Sequence, residues 1–398
     1  MRSPLRVAAC SATVLLTTAT ALTAAGPADA VTVGRTVTLV GHGFGHGHGM
    51  SQYGAQGAAK QGIGYQRIVD FYYPGTTWST VTGRVRVLVT ADTTTDVVVG
   101  AASGLTLRDL GSGTTYTLPE PKGVTRWRIT VGVHNKSVVS YLTGAWHTWK
   151  PGGQASLVGD GEFRASTPLT LFTPSGTRTY RGALRSASPA PGSAARDTVN
   201  VLSMDNYVRG VIPSEMPASW LPEAVKAQAV AARTYATWSR SQYPDRYYQI
   251  CDTSSCQVYG GYSSEDPRSN AAVTATASRV LTYGGKPAFT QFSSSSGGWT
   301  SAGSVPYLTA RSDPYDNYSG NPVHNWTATL KALAIEQAYP SLGTLRGIRI
   351  TRRDGNGDWG GRVWTLVLDG SHKDVTVSGD SFRARFGLRS SWFTVKAS

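Results

Sequence analysis

Apolar and polar side chains alternate in two segments of the first half of the chain, Val85–Val89 and Trp127–Val133. Both segments are rich in β-branched residues and bounded by Gly, Asp or Pro, so the pattern predicts strands. The stretch Glu223–Ala236 carries Ala and Val on several faces instead, which predicts a buried helix. Shorter stretches at Gln56–Lys60 and Ile68–Tyr72 are compatible with helices. Together these patterns predict an α+β fold with a strand-rich lobe.

Local signals place the boundaries of the later elements. Ser219 is a suitable N-cap for the buried helix, with Pro222 near its first turn, and Glu223 favours the helix dipole. Residues 327–398 are predicted to hold one helix, Ala328–Ala338, followed by strands. The run Asp354–Asp358 resembles the start of a calcium loop, but its twelfth position is Thr365, where that motif needs Glu. A hairpin turn is the better interpretation.

The first candidate for a catalytic side chain is Glu215, the one carboxylate in the segment Tyr207–Pro217. Pro213 and Pro217 restrict the backbone, so we predict a stiff loop around Glu215. Apolar neighbours disfavour the charged carboxylate and raise its pKa, as a general acid requires. The alternative is that Glu215 is an ordinary surface charge.

A second candidate is the block Gly41–Ala55, in which His42, His46 and His48 alternate with glycines. Closely spaced histidines can bind a metal, and His-x-His occurs in zinc peptidases of the cell wall. Those sites need further ligands or a base, yet no Asp or Glu lies between Thr32 and Lys60. A tight loop with surface histidines is the remaining alternative.

Both segments resemble hallmarks of the SpoIID/LytB family, which comprises the stage II sporulation protein D and amidase-enhancer group. The segment Tyr207–Tyr235 resembles the family's core motif, and Glu215 falls on its catalytic glutamate. The block Gly41–Ala55, continuing to Thr76, resembles the second hallmark.

The order of these hallmarks differs from the usual one, in which the His-Gly block follows the stretch that ends here at Val395. The chain therefore resembles a circular permutation of the family fold. Permutation works when the native termini lie close together at the surface. We expect the strand around Val37–Val40 to lie beside the strand around Ser391–Val395.

The resemblance implies an exported lytic transglycosylase that cleaves the MurNAc-GlcNAc linkage of peptidoglycan glycan strands, with Glu215 as general acid and base and no cofactor. It also implies that glycines let the sugar chain approach closely. The family covers amidase enhancers too, so a non-catalytic wall-binding partner of an amidase is the alternative, ahead of a zinc-dependent wall peptidase. The implied substrate-binding residues are His46, Gln52, Tyr53, Gln257, Tyr259, Ser294 and Ser295.

Four segments follow from these patterns: a signal peptide (1–30), the His-Gly segment that completes the catalytic core (31–83), a strand-rich lobe (84–200), and the SpoIID-like core with C-terminal strands (201–398). Arg2 and Arg6, an apolar stretch and Ala28–Ala30 together predict the signal peptide, with cleavage near Ala30. No later run approaches the roughly 18 apolar residues of a membrane helix. The protein is expected to be secreted, extracellular or wall-associated.

The chain has 38 basic and 24 acidic residues, a net charge of +14. These charges are scattered without a dense basic run, so nucleic acid is not an expected partner. A basic exported protein would instead be retained by anionic wall polymers. Beyond the signal peptide, Cys251 and Cys256 remain, and an even count in an exported chain predicts a disulfide. Half of a zinc site is the alternative.

Overall fold

The structure is a computed structural model that describes residues 31–32 and 34–396. The signal-peptide prediction lies outside the described residues. The strands are β1 (Val31–Thr32), β2 (Thr36–His42), β3 (Met50–Ser51), β4 (Thr77–Thr80), β5 (Arg84–Leu88), β6 (Val97–Gly100), β7 (Thr106–Asp109), β8 (Thr115–Thr117), β9 (Arg126–Val131), β10 (Ser137–Leu142), β11 (Trp146–Trp149), β12 (Gly161–Arg164), β13 (Leu169–Thr173), β14 (Gly176–Tyr180), β15 (Ala183–Ala187), β16 (Asp197–Ser203), β17 (Ile250–Cys251), β18 (Arg279–Tyr283), β19 (Lys286–Pro287), β20 (Phe292–Ser293), β21 (Asn325–Lys331), β22 (Leu345–Arg353), β23 (Val363–Gly370), β24 (Val375–Ser378) and β25 (Phe393–Val395).

The helices are α1 (Gln52–Lys60), α2 (Tyr65–Tyr72), α3 (Met204–Glu215), α4 (Pro222–Gln242), α5 (Pro267–Ala275), α6 (Ala332–Ala338) and α7 (Gly379–Phe386). Short 3-10 turns occur at Val133–Asn135, Pro151–Gly153, Tyr262–Ser264, Pro340–Leu342 and Asp358–Gly360. Mixed helices and strands confirm the predicted α+β class.

Two antiparallel-rich sheets form the strand-rich region. One has the order β17-β5-β16-β15-β12-β7-β8 and the other β11-β10-β9-β6-β13-β14. Trp127 and Ile129 of β9 share one hydrophobic core with Leu107 and Phe163 of the other sheet. The alternating pattern therefore predicted β5 and β9 correctly, because every second side chain of these strands enters that core.

Helix α4 lies at the centre of the helical region and packs against α1, α2, α3 and α5. Its Ala and Val side chains are buried, as predicted. Pro222 begins the helix, but the residue before it, Leu221, occupies the N-cap without a side-chain hydrogen bond. The prediction of Ser219 as the cap is wrong. Pro222 needs no amide partner at this position, so the helix starts without a polar cap.

A second hydrophobic core joins β2 to the C-terminal quarter of the chain. It contains Leu39, Trp326, Phe382 and Phe393. Two C-terminal predictions need correction here. The helix predicted over Ala328–Ala338 begins only at Ala332, because its first residues pair as β21 with β2. A further helix, α7, follows β24 and buries Phe382. The predicted hairpin turn around Asp354–Asp358 connects β22 to β23 and is confirmed.

Strand β2 lies between β21 and β25, so a strand near the start of the described chain pairs directly with its last strand. Leu39 pairs with Val395, and Gly41 with Phe393, in antiparallel register. The expected neighbourhood of the two ends is confirmed. The circular permutation that motivated this expectation stays a prediction.

Candidate functional site

Glu215 is the last residue of α3, not part of a loop. The loop prediction is wrong because it treated Pro213 as a helix breaker. The ring of Pro213 holds φ near the helical value, and its missing amide costs only one hydrogen bond in the last turn. Val211 and Ile212 are fully buried on the same helix, and the amide of Met216 donates to the carbonyl of Ile212 at 2.9 Å. Burial of these two side chains thus stabilises the helix as far as Glu215.

The carboxyl group of Glu215 is partly buried and has one hydrogen-bond partner, the backbone amide of Val258 at 2.8 Å. Burial raises the pKa of Glu215, and the Val258 amide offsets part of that rise. The carbonyl end of α3 also disfavours a negative charge at this position. Among the residues the structure describes, Glu215 forms no ion pair. Its environment therefore favours the protonated acid more than water does.

Helix α1 positions the segment around Glu215. The side-chain amide of Gln52 donates to the backbone carbonyl of Glu215 at 2.9 Å. One turn later, the Oε1 atom of Gln56 accepts the amide of Leu221 at 3.0 Å. Ser51 caps the same helix by accepting the amide of Gly54. Gln52 thus lies next to Glu215, as the resemblance implied, but its side-chain amide binds the backbone carbonyl of Glu215 and not its carboxyl group.

Partly exposed aromatic side chains lie next to this contact. The ring of Tyr53 is 4.8 Å from Trp220 and 6.4 Å from Tyr318, measured between centroids. The amide of Tyr53 donates to the carbonyl of Ser294 at 2.9 Å. Gln52 thus contacts Glu215 directly, and its neighbour Tyr53 contacts Ser294. Trp220 and Tyr318, which the motifs did not indicate, lie beside Tyr53.

Three of the implied substrate-binding residues are buried and satisfied inside the protein. Gln257 is 1% exposed and accepts the hydroxyl of Tyr207, and Tyr259 is 2% exposed and donates to Asn200. Ser295 is fully buried and donates to Asp316. In this structure the three side chains pack behind the surface, and their role in substrate binding stays a prediction.

The glycines of the His-Gly block have a packing role that the sequence analysis did not predict. Gly43, Gly45, Gly47 and Gly49 all have positive φ, between 67° and 105°. A Cβ atom on Gly43 would lie 2.8 Å from the carbonyl oxygen of Ser295, and one on Gly45 would lie 2.7 Å from Cβ of Ser293. At Gly43 and Gly45 glycine is required because a side chain would collide with the segment 293–297. The expected approach of a sugar chain stays a prediction.

His46 lines a cavity together with the C-terminal residues Arg362 and Asp380, and Glu215 is not part of that lining. Its ring stacks on His48 at 4.9 Å, and its Nδ1 atom accepts the amide of His48. Burial, followed by the charge of nearby groups, lowers the pKa of His46 to about 3 and also lowers that of His48. Both rings are neutral at pH 7. Within residues 31–32 and 34–396, no cluster of three or more His, Cys, Asp or Glu could hold a metal.

Two buried carboxylates that the sequence analysis missed organise the interior of the site. Asp316 is fully buried and accepts hydrogen bonds from Ser51, Ser295, Asn321 and His324, and from the amides of Ser296 and Gly297. Its neighbour Asp313 accepts from the hydroxyls of Tyr72 and Ser296. The only sequence signal was a pair of acids, three residues apart, in a chain with few acidic residues.

Burial and the adjacent Asp316 carboxylate raise the pKa of Asp313 to about 7. A carboxyl whose pKa is raised on folding contributes stability below its unfolded pKa of about 3.9, and loses it as the pH rises through the folded pKa. We expect the free energy of unfolding to fall between pH 4 and 7 for this reason. Asp313→Asn, which imitates the protonated acid, should flatten that fall in urea titrations. The exposed Glu120 supplies a control, since Glu120→Gln should leave the pH profile unchanged; an unchanged profile in Asp313→Asn would contradict the assignment.

Cys251 and Cys256 are joined by a disulfide with Cα atoms 5.5 Å apart. The bond closes a short loop directly before Gln257 and Val258, whose amide contacts Glu215. Asp252, inside the loop, accepts the hydroxyl and amide of Thr90. The loop is thereby attached to the strand-rich region on one side and to the candidate acid on the other.

The sequence is similar to one protein-family model and to several named proteins. Residues 193–283 match the family model described as SpoIID, stage II sporulation protein. This range includes Glu215, Val258 and the disulfide, but not the His-Gly block. The chain is 32% identical to stage II sporulation protein D of Bacillus subtilis (strain 168) over 227 residues, which is 51% of this chain and 63% of that protein.

Two further relatives carry related names. The corresponding protein of Bacillus amyloliquefaciens is 30% identical over 227 residues, 50% of this chain and 62% of its own length. An amidase enhancer of Bacillus subtilis (strain 168) is 45% identical over 129 residues, 31% of this chain and 17% of the enhancer. The chain thus spans less than two thirds of the length of each of these relatives.

Proposed function

We propose a function from the premise that this chain is a SpoIID/LytB-family protein, which the match over residues 193–283 and the relatives named stage II sporulation protein D and amidase enhancer establish. The proposed function is lytic cleavage of peptidoglycan glycan between MurNAc and GlcNAc. The observation that carries the proposal is the isolated carboxyl of Glu215, held at the end of α3 with a raised pKa.

The proposed reaction needs only this one carboxyl group. Protonated Glu215 gives its proton to the glycosidic oxygen, and the bond between that oxygen and the anomeric carbon breaks. The C6 hydroxyl of the muramoyl ring attacks the anomeric carbon, and the Glu215 carboxylate takes the hydroxyl proton. The products are a 1,6-anhydro end and a free sugar hydroxyl, and the acid is regenerated.

The surroundings of Glu215 support this scheme over ordinary hydrolysis. Hydrolytic glycosidases use two carboxyl groups, separated by about 5–5.5 Å or about 6.5–9.5 Å. In the described part of the chain, no second acidic group contributes to the raised pKa of Glu215. The half-exposed rings of Tyr53 and Trp220 provide apolar surface against which sugar rings can pack.

Digestion of purified glycan strands, with and without stem peptides, tests the proposal by mass spectrometry of the products. Anhydro ends support lytic cleavage, and reducing ends from water addition contradict it. The second candidate function is enhancement of a wall amidase, favoured by the 45% identity to an amidase enhancer. A chain that cleaves no glycan but accelerates an added amidase supports this second candidate.

We further propose that the protein is exported and retained at the cell wall. Among the described residues, no helix has the length and apolar character needed to cross a bilayer. The strongly basic composition, with a net charge of +14 for the full chain, would hold an exported chain at anionic wall polymers. Release of the wall-bound protein by moderate salt would support electrostatic retention.

A further inference from the structure

A cavity of about 400 Å³ lies between the His-Gly block, the β22–β23 hairpin and the start of α7. Ligand sites of about 300–1,000 Å³ accommodate small molecules. Glu215 and its partners Gln52 and Val258 do not line this cavity. It is therefore separate from the site proposed for cleavage.

Arg362 forms part of the cavity wall with an unusual set of partners. Its side chain is buried, with the residue 4% exposed, and its guanidinium donates to the carbonyls of Gly45 and Ser296, each at 3.2 Å. No carboxylate in the described chain forms an ion pair with it. A guanidinium has five N–H donors and stays charged at neutral pH, so Arg362 keeps donor capacity for a ligand.

The remaining wall contains both hydrogen-bond acceptors and donors. Asp354, Asn356 and Asp380 contribute carboxylate and amide groups, and His48 is a neutral ring whose Nδ1 lies 3.2 Å from the carbonyl of Ser301. The lining holds two carboxylates, Asp354 and Asp380, against one guanidinium, Arg362, while Arg383 lies near Arg362 but outside the lining. The carboxylates disfavour an anion and the buried guanidinium disfavours a cation, so the cavity suits neutral hydroxyl groups.

An exposed aromatic side chain completes the lining. Trp364 is 47% exposed, and the guanidinium of Arg352 lies 4.1 Å from its ring centroid. A pyranose ring combines an apolar C–H face with hydroxyl groups at its edge. An indole beside paired carboxylate, amide and guanidinium groups matches both features.

We propose that this cavity is a second saccharide subsite, which takes one uncharged pyranose of a glycan strand outside the Glu215 site. The uncharged, hydroxyl-rich character of the ligand follows from the cavity itself. The choice of a peptidoglycan sugar rests on the proposed function. The subsite would hold a strand at two separate points and so favour glycan chains over short fragments.

Calorimetric titration of the full chain with the tetramer of N-acetylglucosamine tests this proposal, in a Glu215→Gln background that prevents turnover. Trp364→Ala should weaken binding about tenfold, the effect of losing one aromatic contact. Asp380→Asn should also weaken binding. Trp359→Ala is the matched control, because Trp359 is 43% exposed near the same hairpin but does not line the cavity. Thermal melting of each variant verifies that it is folded.

Equal affinity in Trp364→Ala and the Trp359→Ala control would overturn the proposal, as would displacement of the tetramer by inorganic phosphate. The cleavage assay separates this outcome from the proposed function. Binding through Trp364 without glycan cleavage by the unmodified chain keeps the subsite and contradicts the lytic function. Glycan cleavage by the unmodified chain, together with unchanged binding in Trp364→Ala, keeps the lytic function and contradicts the subsite.

Discussion

Glu215→Gln is expected to abolish release of 1,6-anhydro products from purified glycan. Glutamine preserves the shape of the side chain and accepts the Val258 amide, but it has no proton to donate at neutral pH. General acid–base catalysis contributes about 10²–10⁴-fold to rate, so the residual rate should fall by at least this order. Mass spectrometry of the soluble products measures the loss. Wall binding, followed by sedimentation with cell walls, should persist.

Glu223→Gln is the matched control for this experiment. Glu223 is also an acid near the start of α4, but it is paired with Lys226 at 2.6 Å and accepts the amide of Tyr65. Lys226 and the Tyr65 amide lower its pKa against the effect of burial, so it cannot supply a proton at neutral pH. Undiminished cleavage by Glu215→Gln would refute its role as the acid. Amidase stimulation that survives in Glu215→Gln would favour the enhancer function.

Asp316→Ala is expected to destabilise the fold by about 3–5 kcal/mol, the usual cost of removing one partner from a buried ionic network. The substitution leaves the donors of Ser51, Ser295 and His324 without their common acceptor. Ser51 also caps α1, which carries Gln52 to Glu215. Urea unfolding measures the loss, and glycan cleavage should fall with it.

Asp358→Ala serves as the control, since its side chain is 74% exposed. Surface changes of this kind usually stay within about 0.5 kcal/mol.

The pH dependence of the free energy of unfolding adds a second test of Asp316. Burial alone would raise its pKa, but hydrogen bonds from His324, Ser51 and Ser295 bring it below the ordinary value. The stability from Asp316 is thus present above the unfolded pKa and lost as the pH falls through the folded pKa. A loss under 1 kcal/mol in Asp316→Ala would contradict its organising role.

Part of the candidate site could be predicted because it depends on short segments of sequence. Glu215 stands out as an acid among apolar residues, and α1 and α2 follow from spacing within a single turn. The end of α3 was predicted as a loop because the short segment contains two prolines. The buried face that stabilises this helix becomes visible only in its packing against α4 and α5.

The roles of the other selected residues could not be predicted, since motif positions do not report exposure. Gln257, Tyr259 and Ser295 occur in matching motifs, yet their polar atoms pair inside the protein. The amide of Val258 is a backbone group, which carries no side-chain signal. Asp313 and Asp316 acquire their importance from donors supplied by distant segments of the chain.

The sequence by itself predicted the α+β class, the resemblance to the SpoIID/LytB family, Glu215 as the candidate acid and the neighbourhood of β2 and the C-terminal strand β25. These properties follow from residue types, from periodicities over a few positions and from motif order. Only the tertiary structure decided which groups surround Glu215 and where His46 lies. The contact between Arg362 and Gly45 joins residues 317 positions apart, and it places the His-Gly block against the C-terminal hairpin. Such contacts depend on long-range packing of whole elements, which no local pattern encodes.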